Sequence, residues 1–101
     1  MKTILQIPSE WADTSKLFIA LGDEQRQRIL LAFEPDERLN IGEIVAASTL
    51  SRTAVSHHLR VLREAGALQS EKIGKEVFFR INKSRMTEAL ASVLSYIETT
   101  I

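Results

Sequence analysis

The sequence predicts a small, mainly α-helical domain carrying one β-hairpin, in the order helix, helix, helix, helix, strand, strand, helix. Three observations lead there. At 101 residues, 45% of them hydrophobic and 26% charged, the chain has the length and balance of one domain spanning 1–101. Apolar residues recur at helical spacing through most of it, and only 68–73 and 76–81 read as extended runs rich in Ile, Val and Phe. Glycines, prolines and capping side chains fall between these segments, with no repeat, low-complexity tract or linker dividing them.

The first helix is expected over 9–21, where Trp11, Phe18 and Leu21 share roughly one face and Gly22 supplies the stop. Asp23 can cap a second helix, in which Ile29, Leu30 and Phe33 repeat until Glu34-Pro35-Asp36-Glu37 breaks the pattern. Arg38 to Asn40 reads as a short extended link. Asn40 with Glu43 three residues on resembles a capping box for a short helix, Ile41 to Ala47. Ser48-Thr49-Leu50 turns the chain into a longer helix, Arg52 to Ala65, which Ser51 caps and Gly66 closes. Two helices one tight turn apart, followed by a hairpin with Gly74-Lys75 at its tip, make the winged variant of the helix-turn-helix motif. Asn82 opens the last helix, 83–101, whose stripe is Met86, Leu90, Val93, Leu94, Ile97 and Ile101.

Composition excludes several kinds of chemistry. There is no cysteine, so disulfides, thiol sensing, cysteine-ligated zinc and Cys nucleophiles are all ruled out. The longest run without a charge, Ala89 to Ile97, is nine residues, about half of what a membrane span needs. Residues 1–8 lack signal-peptide character, so a cytoplasmic location is expected. The formal net charge of zero conceals a gradient: residues 1–50 carry five bases and eight acids, residues 51–101 eight bases and five acids. An anionic partner belongs with the second half.

Placing residues about 100° apart sorts the helix at Arg52 to Ala65 into two arcs. Ala54, Val55, Leu59, Val61, Leu62 and Ala65 fall on one. Thr53, Ser56, His57 and Arg60 fall on the other, with Arg52 and Arg63 flanking it and Glu64 joining only at the far end. The polar arc carries hydroxyl, imidazole and guanidinium groups and, in its first two turns, no carboxylate; all of these can donate to phosphate oxygens or base edges. With Ser51 at the cap and Lys72 and Lys75 on the hairpin, it is the expected DNA-contacting set. The simpler alternative is a solvated helix face. His58 falls on the apolar arc and is expected half-buried with a hydrogen-bonded ring nitrogen, while a catalytic pairing of His57 with Ser51 or Ser56 has no orienting carboxylate or oxyanion site to support it. No enzyme is expected.

The run from Ser51 through His57-His58-Leu59-Arg60 to Gly66-Ala67-Leu68 resembles the recognition helix of ArsR-type winged helix-turn-helix transcriptional regulators. The resemblance extends upstream through Ala20-Leu21-Gly22-Asp23 to Leu31 and Ile41 to Val45, and downstream through Glu71 to Ile81, covering about 15–97. It implies a homodimer joined through the first and last helices, bound to an imperfect palindrome in double-stranded DNA and repressing until an effector arrives. Trp11, Phe18, Leu90, Val93, Leu94 and Ile97 are the expected dimer contacts, since the last helix carries more apolar surface than one core-facing stripe requires. The metal-sensing positions of the resembled family are not matched: Leu39 to Val45 has no cysteine, and the last helix offers only Glu88 and Glu98 as ligands. No metal or other cofactor is therefore expected, and an effector, if there is one, is an unidentified small molecule between the terminal helices. A winged-helix protein-interaction module with no specific DNA target is the alternative.

Overall fold

A computed structural model describes residues 5–101. Met1 to Ile4, half of the segment expected to lack signal-peptide character, lie outside the described residues. A 3-10 turn at Ser9–Trp11 leads into α1 (Ala12–Leu21), followed by α2 (Glu24–Leu31), β1 (Leu39–Asn40), α3 (Ile41–Ala47), α4 (Arg52–Glu64), β2 (Leu68–Ile73), β3 (Glu76–Ile81) and α5 (Lys83–Thr99). No helix among the described residues is long and apolar enough to cross a membrane.

Helix boundaries follow local chemistry. The Asp23 carboxylate accepts from the Arg26 N–H at 3.1 Å to start α2, and the Asn82 side chain accepts from the Arg85 N–H at 3.3 Å to start α5. At α3 the capping box is complete: Asn40 Oδ1 accepts from the Glu43 N–H at 2.8 Å, and Glu43 Oε1 accepts from the Asn40 N–H at 3.0 Å. The α4 C-terminus is a Schellman turn, in which the Ala67 N–H donates to the Leu62 carbonyl at 2.9 Å and the Gly66 N–H to the Arg63 carbonyl at 3.1 Å. Gly66 there has φ 86°, and a Cβ on it would sit 3.0 Å from Arg85 Cγ. Gly66→Ala is expected to cost about 1–2 kcal/mol, read as a fall in Tm of roughly 5–10 °C by differential scanning calorimetry.

Several expectations change in detail. The first helix begins at Ala12 rather than at 9, because Ser9–Trp11 winds more tightly, and its buried face is Thr14, Leu17 and Ala20 rather than the Trp11–Phe18–Leu21 face. The last helix ends at Thr99 and α4 at Glu64, with Ala65 as its cap. The extended link becomes a third strand. β1 pairs antiparallel with β3, Leu39 opposite Phe79 and Asn40 opposite Phe78, so the sheet order is β1-β3-β2 and the hairpin is one part of it. The β2–β3 register, from Leu68 opposite Ile81 to Ile73 opposite Glu76, is that of the expected hairpin.

The core lies where α1, α2, α3, α4 and the base of the sheet converge. Leu17, Ile44, Val55, Leu59, Leu62 and Leu68 are almost wholly buried there, joined by Ile29, Leu30, Phe33 and Phe79. Burying each such side chain contributes about 1.5–3 kcal/mol. One sheet face turns inward through Leu68 and Phe79, while on the other the Arg38 guanidinium lies 5.9 Å from the Phe78 ring centroid. By contrast, α5 buries only Ala89 along 17 residues. The molecule extends 51 Å along its longest axis, and its radius of gyration is 15.6 Å, against about 13 Å for a compact chain of this length.

Candidate nucleic-acid interface

The turn between α3 and α4 is held by one side chain. Ser48 Oγ donates to the Val45 carbonyl at 3.2 Å and accepts from the Leu50 N–H at 3.2 Å, bringing Ser51 to the head of the next helix. Ser51 Oγ then accepts from the Ala54 N–H at 3.2 Å, so this residue's first role is to cap α4; its hydroxyl hydrogen stays free to donate. Val55, Leu59 and Leu62 fix the rotation of α4 by burial. Arg52, Thr53, Ser56, His57, Arg60 and Arg63 consequently project outward and are exposed.

The electrostatics of that face favour an anion. The first turn of α4 holds no acid, which leaves the partial positive charge of the helix N-terminus uncompensated. The only ion pair among the described residues is Arg28–Glu24, at 2.7 Å on α2. Arg52, Arg60, Arg63, Lys72 and Lys75 therefore lack a carboxylate within ion-pair distance among the described residues. Lys72 lies on β2, the strand that packs beside α4, and Lys75 lies in the hairpin turn; both are exposed.

His58 takes a different role from its neighbour. It is half-buried, and its Nδ1 accepts from Arg26 Nη1 at 3.3 Å, because a guanidinium can only donate. Arg26 also donates through Nε to the Ala20 carbonyl at 2.7 Å and through Nη2 to the Ile19 carbonyl at 3.3 Å. Burial lowers the His58 pKa below its usual value, assisted by the Arg26 and His57 charges and opposed by Asp23. The Arg26 N–H in turn holds the Asp23 carboxyl below the usual carboxylate range. Arg26 escaped the reading of the sequence, as nothing local marks a partner 32 residues away.

The terminal helices hold the other predicted residues. Leu90, Leu94 and Ile97 on α5 are 44%, 56% and 53% exposed, and Phe18 on α1 is 44% exposed. Val93 and Trp11 are half-buried within their own chain. Trp11 meets Tyr96 edge-on, with centroids 5.4 Å apart and planes at 82°, which ties the 3-10 turn ahead of α1 to α5. Ile19, 68% exposed, belongs with these apolar residues and was missed because Leu17 to Leu21 is an unbroken apolar run. A cleft of about 940 Å³ lies elsewhere, between the 33–37 loop and the start of α5. Its Arg80 and Lys83 face Glu34, Asp36, Glu37 and Glu88, so its mixed charge does not extend the cationic surface. No group of three His, Cys, Asp or Glu side chains comes together among the described residues.

A two-helix unit with an outward donor-rich helix, followed by a β-hairpin on a three-stranded sheet, defines a winged helix-turn-helix protein. Residues 23–70 match the family described as bacterial regulatory protein, arsR family. The chain is 27% identical over 84 residues to a transcriptional repressor SmtB homolog of Synechocystis sp., a match covering 83% of this chain and 63% of that protein, so it spans less than two-thirds of the relative's length. An ArsR-like transcriptional regulator from Rhodococcus sp. RHA1 superposes with TM-score 0.79 at 26% identity, over 90% of this chain and 84% of that one. The homodimeric winged helix-turn-helix DNA-binding domain of Mb0332 from Mycobacterium bovis superposes with TM-score 0.69 at 18% identity, over 97% and 94%. Residues 23–70 thus form an ArsR-type helix-turn-helix segment, and the whole chain shares the fold of ArsR-like transcriptional regulators.

Proposed function

We propose that the chain is a homodimeric repressor that reads duplex DNA with the outer face of α4, without a thiol or metal sensor site. One observation carries the reading: Arg52, Arg60 and Arg63 stand on an exposed, donor-rich helix face with no ion-pair partner among the described residues. Cations held so would neutralise phosphates and release their counterions without first giving up a protein carboxylate. Thr53, Ser56 and His57 lie between them and carry base-edge recognition, while Lys72 and Lys75 on the hairpin reach the backbone. Repression follows the named activity of the Synechocystis relative.

The dimer rests on surface α5 leaves uncovered. Leu90, Leu94 and Ile97 on α5, and Phe18 on α1, are apolar side chains that their own chain leaves exposed, and the Mycobacterium bovis neighbour is described as homodimeric. Two copies related by a two-fold axis would set their α4 helices in successive major grooves about 34 Å apart and call for an imperfect palindrome. Leu94→Glu is expected to shift sedimentation from dimer to monomer while leaving the far-ultraviolet helix signal in place; a dimer persisting through Leu94→Glu combined with Ile97→Glu would exclude this face. A role as a protein-recruiting module is less favoured because none of the exposed large apolar side chains stands on α4, which leaves the cationic helix free. The direct test is binding to the labelled duplex upstream of the chain's own gene, against non-specific competitor. Sequence-preferring binding that falls steeply with salt supports DNA reading; equal loss to competitor at every salt concentration rejects it.

A further inference from the structure

We propose that Arg26 and His58 form a proton-sensitive latch that holds α4 in its reading position, so that duplex binding weakens when His58 takes up a proton. The inference rests on the DNA-reading role argued above and adds to it a residue pair that faces away from the duplex.

The geometry joins three helices at one guanidinium. Arg26, in the first turn of α2, reaches back to the Ala20 and Ile19 carbonyls at 2.7 and 3.3 Å. These belong to the last turn of α1, where the Ile19 carbonyl also accepts from the Gly22 N–H at 3.3 Å. The remaining Nη1 donates to His58 Nδ1 in the middle of α4 at 3.3 Å. Arginine stays charged throughout the accessible pH range, so the contact requires an unprotonated Nδ1 and fixes the neutral ring as the Nε2–H tautomer. A proton on Nδ1 removes the acceptor and sets a second cation against the guanidinium. His57, the next residue back, stands on the reading face, so whatever shifts α4 at His58 shifts a group assigned to base contact.

The charges around the ring settle the direction. From α2, Asp23 favours protonation and Arg26 opposes it; from α4, His57 opposes it; burial opposes it most. Asp23 is already engaged as the α2 cap, so it cannot swing to the ring without releasing that helix end. The folded-state pKa therefore lies below 6.5. The latch is closed above that value and opens as pH falls through the lower one, with folding stability lost across the same window. His57 is exposed on the outer face of α4, which calls for comparison between variants that both retain it.

The experiment follows fluorescence anisotropy of the labelled upstream duplex at constant salt from pH 7.5 to 5.0, with the full-length wild-type chain and His58→Asn. The Asn amide oxygen can stand in for Nδ1 but does not titrate. The two should bind within about twofold of each other at pH 7.5, and the wild type should lose about five- to tenfold relative to His58→Asn at pH 5, the scale of one typical hydrogen bond. NMR titration of the ring in the free protein should find the Nε2–H tautomer, with a midpoint that rises in Arg26→Gln. Should His58→Asn fail to fold, Arg26→Gln carries the comparison, its low-pH loss being smaller than that of the wild type. Parallel binding curves across a range in which the ring titrates, or a midpoint unmoved by Arg26→Gln, would overturn the latch. Failure of the wild type to prefer this duplex at pH 7.5 is a distinct result, visible before any variant is compared, and would remove the DNA reading on which the latch depends.

Discussion

Leu62→Ala should destabilise the domain by about 2–5 kcal/mol, the range for a leucine truncated in a packed core. Leu62 is fully buried and sits opposite the exposed arc of α4. For a domain whose total stability is of order 5–15 kcal/mol, that loss is a large fraction of the whole. It should appear as a fall in the urea midpoint with the slope unchanged. Because the side chain also helps fix the rotation of α4, DNA binding should weaken in the fraction that remains folded. A midpoint within error of the wild type would mean that α4 is not anchored through this face.

Removing Arg60 and Arg52 should produce the largest losses in binding. Each arginine replaced by alanine is expected to lower affinity for the preferred duplex by about 1–3 kcal/mol if it contacts a base, roughly five- to 150-fold, and to relax preference at the position it reads. Lys72→Ala and Lys75→Ala should instead weaken binding to all sequences alike, each reducing the slope of log affinity against log salt by about one. Titrations at several salt concentrations separate the two patterns. Retention of full affinity and preference by Arg52→Ala combined with Arg60→Ala would place the interface elsewhere on the molecule.

Much of this architecture could be read along the chain because its boundaries are set by neighbours within four residues. The capping box of Asn40 and Glu43, the caps at Asp23, Ser51 and Asn82, the glycine after α4 and both long strands are local signals, and all are present in the fold. The two faces of α4 were equally legible, since alternation of Val55, Leu59 and Leu62 with Thr53, Ser56 and Arg60 leaves one amphipathic solution. Where the chain is uniformly apolar the period vanishes: between Leu17 and Leu21 nothing marks Leu17 as buried and Ile19 as bare. The two residues of β1 are too few to show alternation, and their strand identity comes from Phe78 and Phe79 far along the chain. Trp11 against Tyr96 and Arg26 against His58 are likewise long-range pairings that no local pattern encodes. How the reading face is held was thus less visible than the face itself.

The near absence of buried side chains on α5 couples this molecule's durability to its abundance. If a second copy supplies the missing cover, part of the free energy of the native state comes from association, and that part shrinks by mass action on dilution. Scarcity would then loosen the scaffold as well as empty the operator, making the amount of protein itself a variable in the regulatory response.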